Sequence, residues 1–408
     1  MNLSGLLFRE EPSPCGASLW GFVFRNDAFF VGAAMPRTIY LDYNATTPVD
    51  PRVLQAMLPY LQGEFGNASS NHRFGQSAQR ALRIARRQVA ELLNCRSGEI
   101  VFTGGGSEAS NHAIKGTVAR FPDPSHLVIS AIEHPATMVP CEYLRSLGHE
   151  VTLIPVDGTG LVDPDDVRRP LRPNTRLVSV MHSNNEVGTI QPIREIARIG
   201  REASILVHTD VAQSLGKLPI DAEDLGVDLM TVAGHKLYAP KGVGVLYVRR
   251  GVQLVSLIHG ASHENGLRAG TENVPYVVGL GRACEIAQYD FPESEAKLRQ
   301  LRERLHSRLR EGLDDRIVLN GHPEKRLPNT LNLGFLGRLG SELLASLPDL
   351  AASTGAACHD GKVTESPILK AMGVRSEAIH GAVRLSVGRF TTEAEIDEAA
   401  EMLIGAVS

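Results

Sequence analysis

The run Thr231-Val-Ala-Gly-His-Lys-Leu-Tyr-Ala-Pro-Lys-Gly242 passes from small apolar residues into Gly234, then sets His235 and Lys236 side by side. A strand that is apolar at successive positions is covered on both faces, as the strands of parallel sheets are. Polar residues at the carboxyl end of such a strand stand where open α/β sheets hold their ligands. Taken alone, Lys236 reads as a solvated lysine at a strand end, the usual fate of lysine. The rest of the chain has to decide.

Working outward, the periodicity predicts a helix over 74–94, with Leu82, Ala85, Val89, Leu92 and Leu93 on one face. Strands are expected at 99–103, 126–130, 150–156, 176–181, 205–208, 228–232 and 244–248, with helices near 107–118, 137–147, 164–171 and 193–202. This alternation implies an α/β fold, a mostly parallel sheet flanked by helices. After about Pro275 a charged helical stretch interrupted near Pro292 runs to Leu313. Short strands at 317–319, 330–333 and 382–387 and a helix from Thr392 follow, the texture of a smaller α+β domain. The expected division is an extension over 1–36, a large domain over 51–274, and a small domain made of 37–50 and 275–408.

The chain has 408 residues, 43% hydrophobic and 22% charged, with a formal net charge of −4. That balance gives no reason to expect nucleic acid or an anionic membrane as partner. No apolar run reaches the ~20 residues needed to span a bilayer. Five cysteines, Cys15, Cys95, Cys141, Cys284 and Cys358, lie far apart. None of them has zinc-ligand spacing, so no metal site is expected, and their odd number argues against a disulfide framework. A reducing cytoplasm fits this usage. The first 36 residues hold the single tryptophan, Trp20, and have no signal-peptide pattern, since Arg9 is followed at once by Glu10 and Glu11.

Polar residues cluster after five of the expected strands: 104–107, 133–134, 184–186, 210–213 and 235–236. Gly104-Gly-Gly-Ser107, between a strand and a helix, makes a natural phosphate seat from backbone N–H groups and the helix N-terminus. It also fits the loose dinucleotide pattern, but the acid expected about 20 residues on is missing. Asp210 closes an apolar strand, where a carboxylate is costly unless a cation meets it or it caps a helix. Lys236 follows one strand later. A carboxylate and a lysine on neighbouring strand ends beside a phosphate seat suit pyridoxal 5'-phosphate. The lysine forms a Schiff base, and the carboxylate keeps the ring nitrogen protonated so that the ring accepts electrons. His134 suits ring stacking or proton transfer as well as it suits a plain core position.

Eight segments in order, Leu41-Asp-Tyr-Asn-Ala-Thr-Thr-Pro48, Gly66-Asn-Ala-Ser-Ser-Asn-His72, Glu133-His134, Asn184-Asn-Glu-Val-Gly188, His208-Thr-Asp-Val-Ala-Gln213, Gly234-His-Lys236, Arg268-Ala-Gly-Thr271 and Gly355-Ala-Ala-Cys358, resemble the cysteine desulfurases of the iron–sulfur-cluster type, in the class V aminotransferase family. The selenocysteine lyases are closely similar. The resemblance covers residue 38 to the C-terminus. It implies a fold-type I pyridoxal-phosphate enzyme, a homodimer with its sites at the subunit interface, and conversion of L-cysteine to L-alanine. Sulfur would be left as a persulfide on Cys358 and passed to a protein acceptor, as in iron–sulfur cluster assembly. The alternative substrate is L-selenocysteine.

By the same resemblance, Lys236 would bind the cofactor and then take the substrate's Cα proton. Asp210 would pair with the ring nitrogen and His134 would stack on the ring. Asn185 and Gln213 would bond to the ring near its hydroxyl, and Asn185 would also meet substrate. Gly106, Ser107 and His235 would hold the phosphate, with Thr271 reaching over from the other subunit. Arg384 would grip the substrate carboxylate with its forked donors, and Cys358 would be the nucleophile, as thiolate. Two departures stand out. Ala233 occupies a position where the family often has a phosphate-binding hydroxyl. Gly355-Ala-Ala-Cys-His359 is closer to the selenocysteine-lyase pattern than to Ser-Gly-Ser-Ala-Cys.

Overall fold

The computed structural model describes residues 38–354, 358–359, 362–363 and 365–408. The extension expected over 1–36 lies outside the described residues. Seven strands form one sheet, in the spatial order Ile100–Thr103, Gly244–Val248, Leu229–Ala233, Leu206–Asp210, Thr175–Ser179, His126–Ser130, Glu150–Ile154. The five from Leu229–Ala233 to Glu150–Ile154 are parallel. Gly244–Val248 is antiparallel to both of its neighbours. All the strands except Gly244–Val248 therefore end on the same edge of the sheet.

The apolar runs have a direct explanation. Side chains of a strand alternate between faces, and here each face meets its own core. Leu127 and Ile129 pack with Leu177, Leu229 and Leu246 on one side. Val128 joins Val178, Val207 and Val245 on the other. Helices Gly106–Val118 and Pro135–Ser146 cover the first face through Ala113, Ile114, Cys141 and Leu144. Helices Arg73–Leu92, Ile193–Ala203 and Val274–Asp290 cover the second. Arg73–Leu92 buries Ala78, Ala81, Leu82, Ala85 and Val89, the expected helical stripe. Its alanines admit the helix Val274–Asp290 so closely that a Cβ on Gly281 would sit 2.6 Å from Ala85 Cα. Pattern alone did not anticipate the helix Pro51–Gln62, whose Asp50 cap and Pro51 in the first turn mark its start.

A second, antiparallel sheet has the order Ser353–Thr354, Ala382–Ser386, Thr330–Phe335, Ile317–Asn320. It follows the half-covered pattern. Leu331, Leu333, Phe335, Val383 and Leu385 enter a separate core with leucines of helices Glu293–Leu313 and Glu393–Val407. Thr330, Asn332, Arg384 and Ser386 lie on the opposite face of the same strands. The helix Val274–Asp290 belongs to the core of the larger sheet, and the change of core falls at the break around Pro292.

The segment 38–50 crosses between the two sheets. Ile39–Tyr40 pairs with Leu350–Ala351, and Asn44 N–H donates to Ser386 Oγ at 3.0 Å. Thr47 Oγ1 then donates to the His235 carbonyl at 3.0 Å, and Asp50 pairs with Arg389 at 2.6 Å. No helix among the described residues is long and apolar enough to cross a membrane.

Candidate active site

A pocket of about 390 Å³ opens where the carboxyl edge of the large sheet meets the polar face of the small one. Five strand ends of the large sheet contribute Gly106 and Ser107, His134, Asn185, Asp210 with Gln213, and His235 with Lys236. From the other side come Arg384, in mid-strand, and Asn44 and Ala45 of the crossing segment. Nine residues expected from the sequence thus share one cavity. Thr271 is not among its lining residues; it is exposed, in a loop that Arg268 tethers to Glu108 at 3.0 Å. Cys358 lies in a two-residue strand paired with Lys362–Val363, and its side chain is outside the described part of the structure.

Lys236 follows the strand Leu229–Ala233 in a single 3₁₀ turn. Its Nζ donates to the carbonyls of Asn44 and of Ala45, the latter at 2.6 Å. Burial and the nearby Arg384 guanidinium lower its pKa to about 8, against the opposing pull of Asp210 and Asp42. A lysine so placed is largely a cation at neutral pH but supplies a neutral amine far more readily than an exposed one.

Asp210 is buried, and no helix follows it, so the cap reading is replaced by a short turn in which Oδ1 accepts from Ala212 N–H at 2.8 Å. Burial raises its pKa, while Ala212, His134 and Lys236 oppose the rise. A carboxylate held this way calls for a further cationic or donor partner. His134 caps the helix Pro135–Ser146 by accepting from Ala136 N–H at 3.1 Å on Nδ1. Its ring is reachable from the pocket, yet desolvation by the surrounding wall lowers its pKa, with Asp210 opposing. His235 is brought down to about 4, by burial first and then by Lys236, so the imidazole is neutral.

Residues of the cavity fit pyridoxal 5'-phosphate on several counts. Asn185 Oδ1 is buried with no partner among the described residues. Only Oδ1 of Asp210 is engaged by a described side chain or amide. The 13-residue helix Gly106–Val118 starts at the pocket after Gly105, whose φ of 147° favours glycine. Ala233 stands beside that helix start, where a Cβ on Gly106 would come 3.1 Å from its methyl.

Arg384 is held from two directions. Nη2 donates to Asp42 Oδ1 at 2.7 Å and Nη1 to the Asn185 carbonyl at 3.1 Å. Its Nε is buried without a partner among the described residues. Asp42 also accepts from Ser353 Oγ at 2.9 Å, so the guanidinium arrives pre-aimed.

Four residues of the neighbourhood were given no role by sequence reasoning. Asp42 is one. Glu133 is buried beside Asp210; Oε1 accepts from Ser130 Oγ at 2.5 Å and Met181 N–H at 2.7 Å, while Oε2 has no partner among the described residues. Burial pushes its pKa up to about 8. Asn44 is a buried hub, and Lys217, 6% exposed, donates to Gln213 Oε1 at 3.1 Å. The Leu41–Pro48 and Glu133-His134 motifs flagged three of them as a group; nothing flagged Lys217.

The aminotransferase class-V family model matches residues 39–399. A cysteine desulfurase IscS of Dictyoglomus turgidum is 42% identical over 372 residues, 90% of this chain and 94% of that protein. The protein of the same name from Anaeromyxobacter dehalogenans is 46% identical over 365 residues, 88% and 90% of the two chains. Among solved structures, a NifS-like protein superposes with a TM-score of 0.85 at 36% identity, covering 90% of this chain and 98% of that one. A structure described as SspA in complex with cysteine gives 0.77 at 37% identity, covering 87% and 100%. Sequence identity and overall superposition agree, and the chain belongs to the class-V aminotransferase family.

Proposed function

We propose that this chain is a pyridoxal-phosphate-dependent cysteine desulfurase that converts L-cysteine to L-alanine and collects the sulfur on Cys358. The observation that carries the reading is the convergence of Lys236, Asp210, His134 and Arg384 on one cavity. When bound, pyridoxal phosphate supplies an aldehyde that condenses with amines and a ring that accepts electrons from a breaking bond. The protein's share is binding, aiming and proton transfer. Gly106, Ser107 and His235 would hold the phosphate, Asp210 would pair with the ring nitrogen, His134 would cover the ring, and Asn185 and Gln213 would bond along its edge. Arg384, pre-aimed by Asp42, receives the substrate carboxylate. Lys236 Nζ, with its pKa brought to about 8, carries the proton removed from the substrate's Cα. Cys358 sulfur attacks the substrate sulfur as a thiolate, forming an S–S bond as the C–S bond breaks.

Finer parts of this reading rest on the resemblance. They are a homodimer with Thr271 serving the partner's site, a protein sulfur acceptor in iron–sulfur cluster assembly, and a cytoplasmic setting. The exposure of Thr271 away from this chain's pocket supports the first. The division into a large cofactor domain and a small domain also belongs here, with the boundary better drawn near 291 than at 274, because the helix Val274–Asp290 packs in the larger core.

The test is a single turnover with L-cysteine, followed by peptide mapping. Alanine should appear with one persulfide, on Cys358, and borohydride should fix the cofactor to Lys236. Cys358→Ala should give neither alanine nor persulfide. Sulfur found on Cys95, Cys141 or Cys284 alone would remove Cys358 from its role. A rate with L-selenocysteine far above that with L-cysteine would favour the alternative substrate.

A further inference from the structure

Lys217 is the least expected group near the pocket. It sits in the turn after the strand Leu206–Asp210, 6% exposed, and no carboxylate among the described residues pairs with it. Its charged neighbours are Lys236 and Arg384, both cations, and burial together with them brings its pKa to about 7. A buried amine with no counter-charge is costly. A methionine would fill the same space at less cost, so its retention needs a reason beyond packing.

The reason lies in what an amine can and cannot do. Protonated, Lys217 has three donors and no acceptor; neutral, it keeps two N–H donors, enough for both of its contacts, and Asn44, fixed separately by Asn329 and Thr330, still offers it an oxygen. Its two contacts, Gln213 at 3.1 Å and Asn44 at 3.4 Å, must therefore be the amide oxygens Oε1 and Oδ1. Asn44 Oδ1 takes a second bond from Asn329 Nδ2 at 3.0 Å, which sends Asn44 Nδ2 to Thr330 Oγ1 at 2.8 Å and to the Asn185 carbonyl at 3.2 Å. Gln213 Nε2 is left facing the other way. One of its hydrogens goes to the Asn44 carbonyl at 2.9 Å. The other has no acceptor among the described residues, and Gln213 lines the pocket. An unanchored glutamine could present either end of its amide, whereas this one presents a donor.

We propose that Lys217 is a positioning residue that locks the side-chain amides of Gln213 and Asn44, so that the pocket always meets the N–H end of Gln213 and selects an oxygen acceptor, preferably anionic, opposite it. The inference rests on the pyridoxal-phosphate reading, where that acceptor is the oxygen on the cofactor's ring. A fixed donor there stabilises the deprotonated chromophore more than the protonated one, and so holds the pH midpoint of its visible transition down.

The experiment titrates the visible absorbance of protein reconstituted with pyridoxal phosphate. Lys217→Met should raise the midpoint by about one pH unit or more. Gln213→Leu should raise it similarly, and adding Lys217→Met to Gln213→Leu should add little, because the lysine acts through that amide. If Lys217→Met does not fold, Lys217→Gln, neutral and too short to hold both amides, must give the same upward shift. An unshifted Lys217→Met, or fully additive shifts in the double variant, overturns the inference while leaving the cofactor assignment intact. A wild-type protein that forms no visible band with pyridoxal phosphate overturns that assignment and this inference with it.

Discussion

The two sheets deliver their functional groups in different ways. The seven-stranded sheet is covered on both faces, so its mid-strand polar side chains, such as His208, Thr209 and Thr231, bond within the sheet; the groups that reach the pocket sit at strand ends, at His134, Asp210 and Lys236. The four-stranded sheet has one apolar face only, and its contribution, Arg384, stands in the middle of a strand with Thr330, Asn332 and Ser386 on the same side. Groups at strand ends sit in turns that can shape themselves around a cofactor. A group on a sheet face is fixed by the register of its neighbours, which suits a clamp for a small, invariant feature such as a carboxylate. On the proposed reading, the large sheet supplies the chemistry and the small one the grip on substrate.

Substitutions can break that division. Asp210→Asn should lower turnover by roughly 10²–10³-fold with little change in KM, since the lost charge matters most when the ring takes up electrons. Arg384→Ala should instead raise KM for cysteine, by about 10²-fold, the loss of a charge-assisted pair. An Arg384→Ala enzyme with normal KM and depressed kcat would erase the distinction between the sheets.

Glu133→Gln offers a smaller, sharper test at a strand end. Burial raises the folded-state pKa of Glu133 from its ordinary value near 4.5 to about 8. Its stabilising contribution is fully present below pH 4.5 and is lost progressively as pH rises towards 8. Wild type should therefore lose stability between pH 6 and 9, and Glu133→Gln should lose less, by about 3 kcal/mol at pH 9, since the loss runs over the two units from pH 6 to 8 at about 1.4 kcal/mol each. Urea melts at the two pH values measure it. Equal losses in both proteins would mean that Glu133 ionises freely in the folded state.

The same contrast explains what could be read in advance. A polar residue straight after an apolar run announces itself, and every strand-end member of the site was visible that way. A polar residue inside an alternating strand looks like an ordinary solvent-facing position, so Thr330 and Asn332 passed unnoticed and Arg384 was reached only through family resemblance. The helix Pro51–Gln62 was obscured because Leu54 and Leu61 are exposed, 46% and 52%, which blurs its apolar stripe despite a good cap. Lys217 was invisible for another reason. One of its two partners is Asn44, 173 residues earlier in the chain, and no local pattern records such a contact.

The crossing segment 38–50 has a consequence for how the molecule is made. Asn44 binds Ser386, and Asp42 binds Arg384, each across 342 residues. At the usual pace of synthesis, ~5–20 residues per second, Asn44 emerges on the order of tens of seconds before its partner exists. The strands and helices of the larger sheet can assemble meanwhile, but the wall that carries Arg384 cannot. The pocket is thus among the last features completed, and a full-strength grip on the substrate carboxylate becomes a mark of a finished chain, denied to truncated ones that stop short of Arg384.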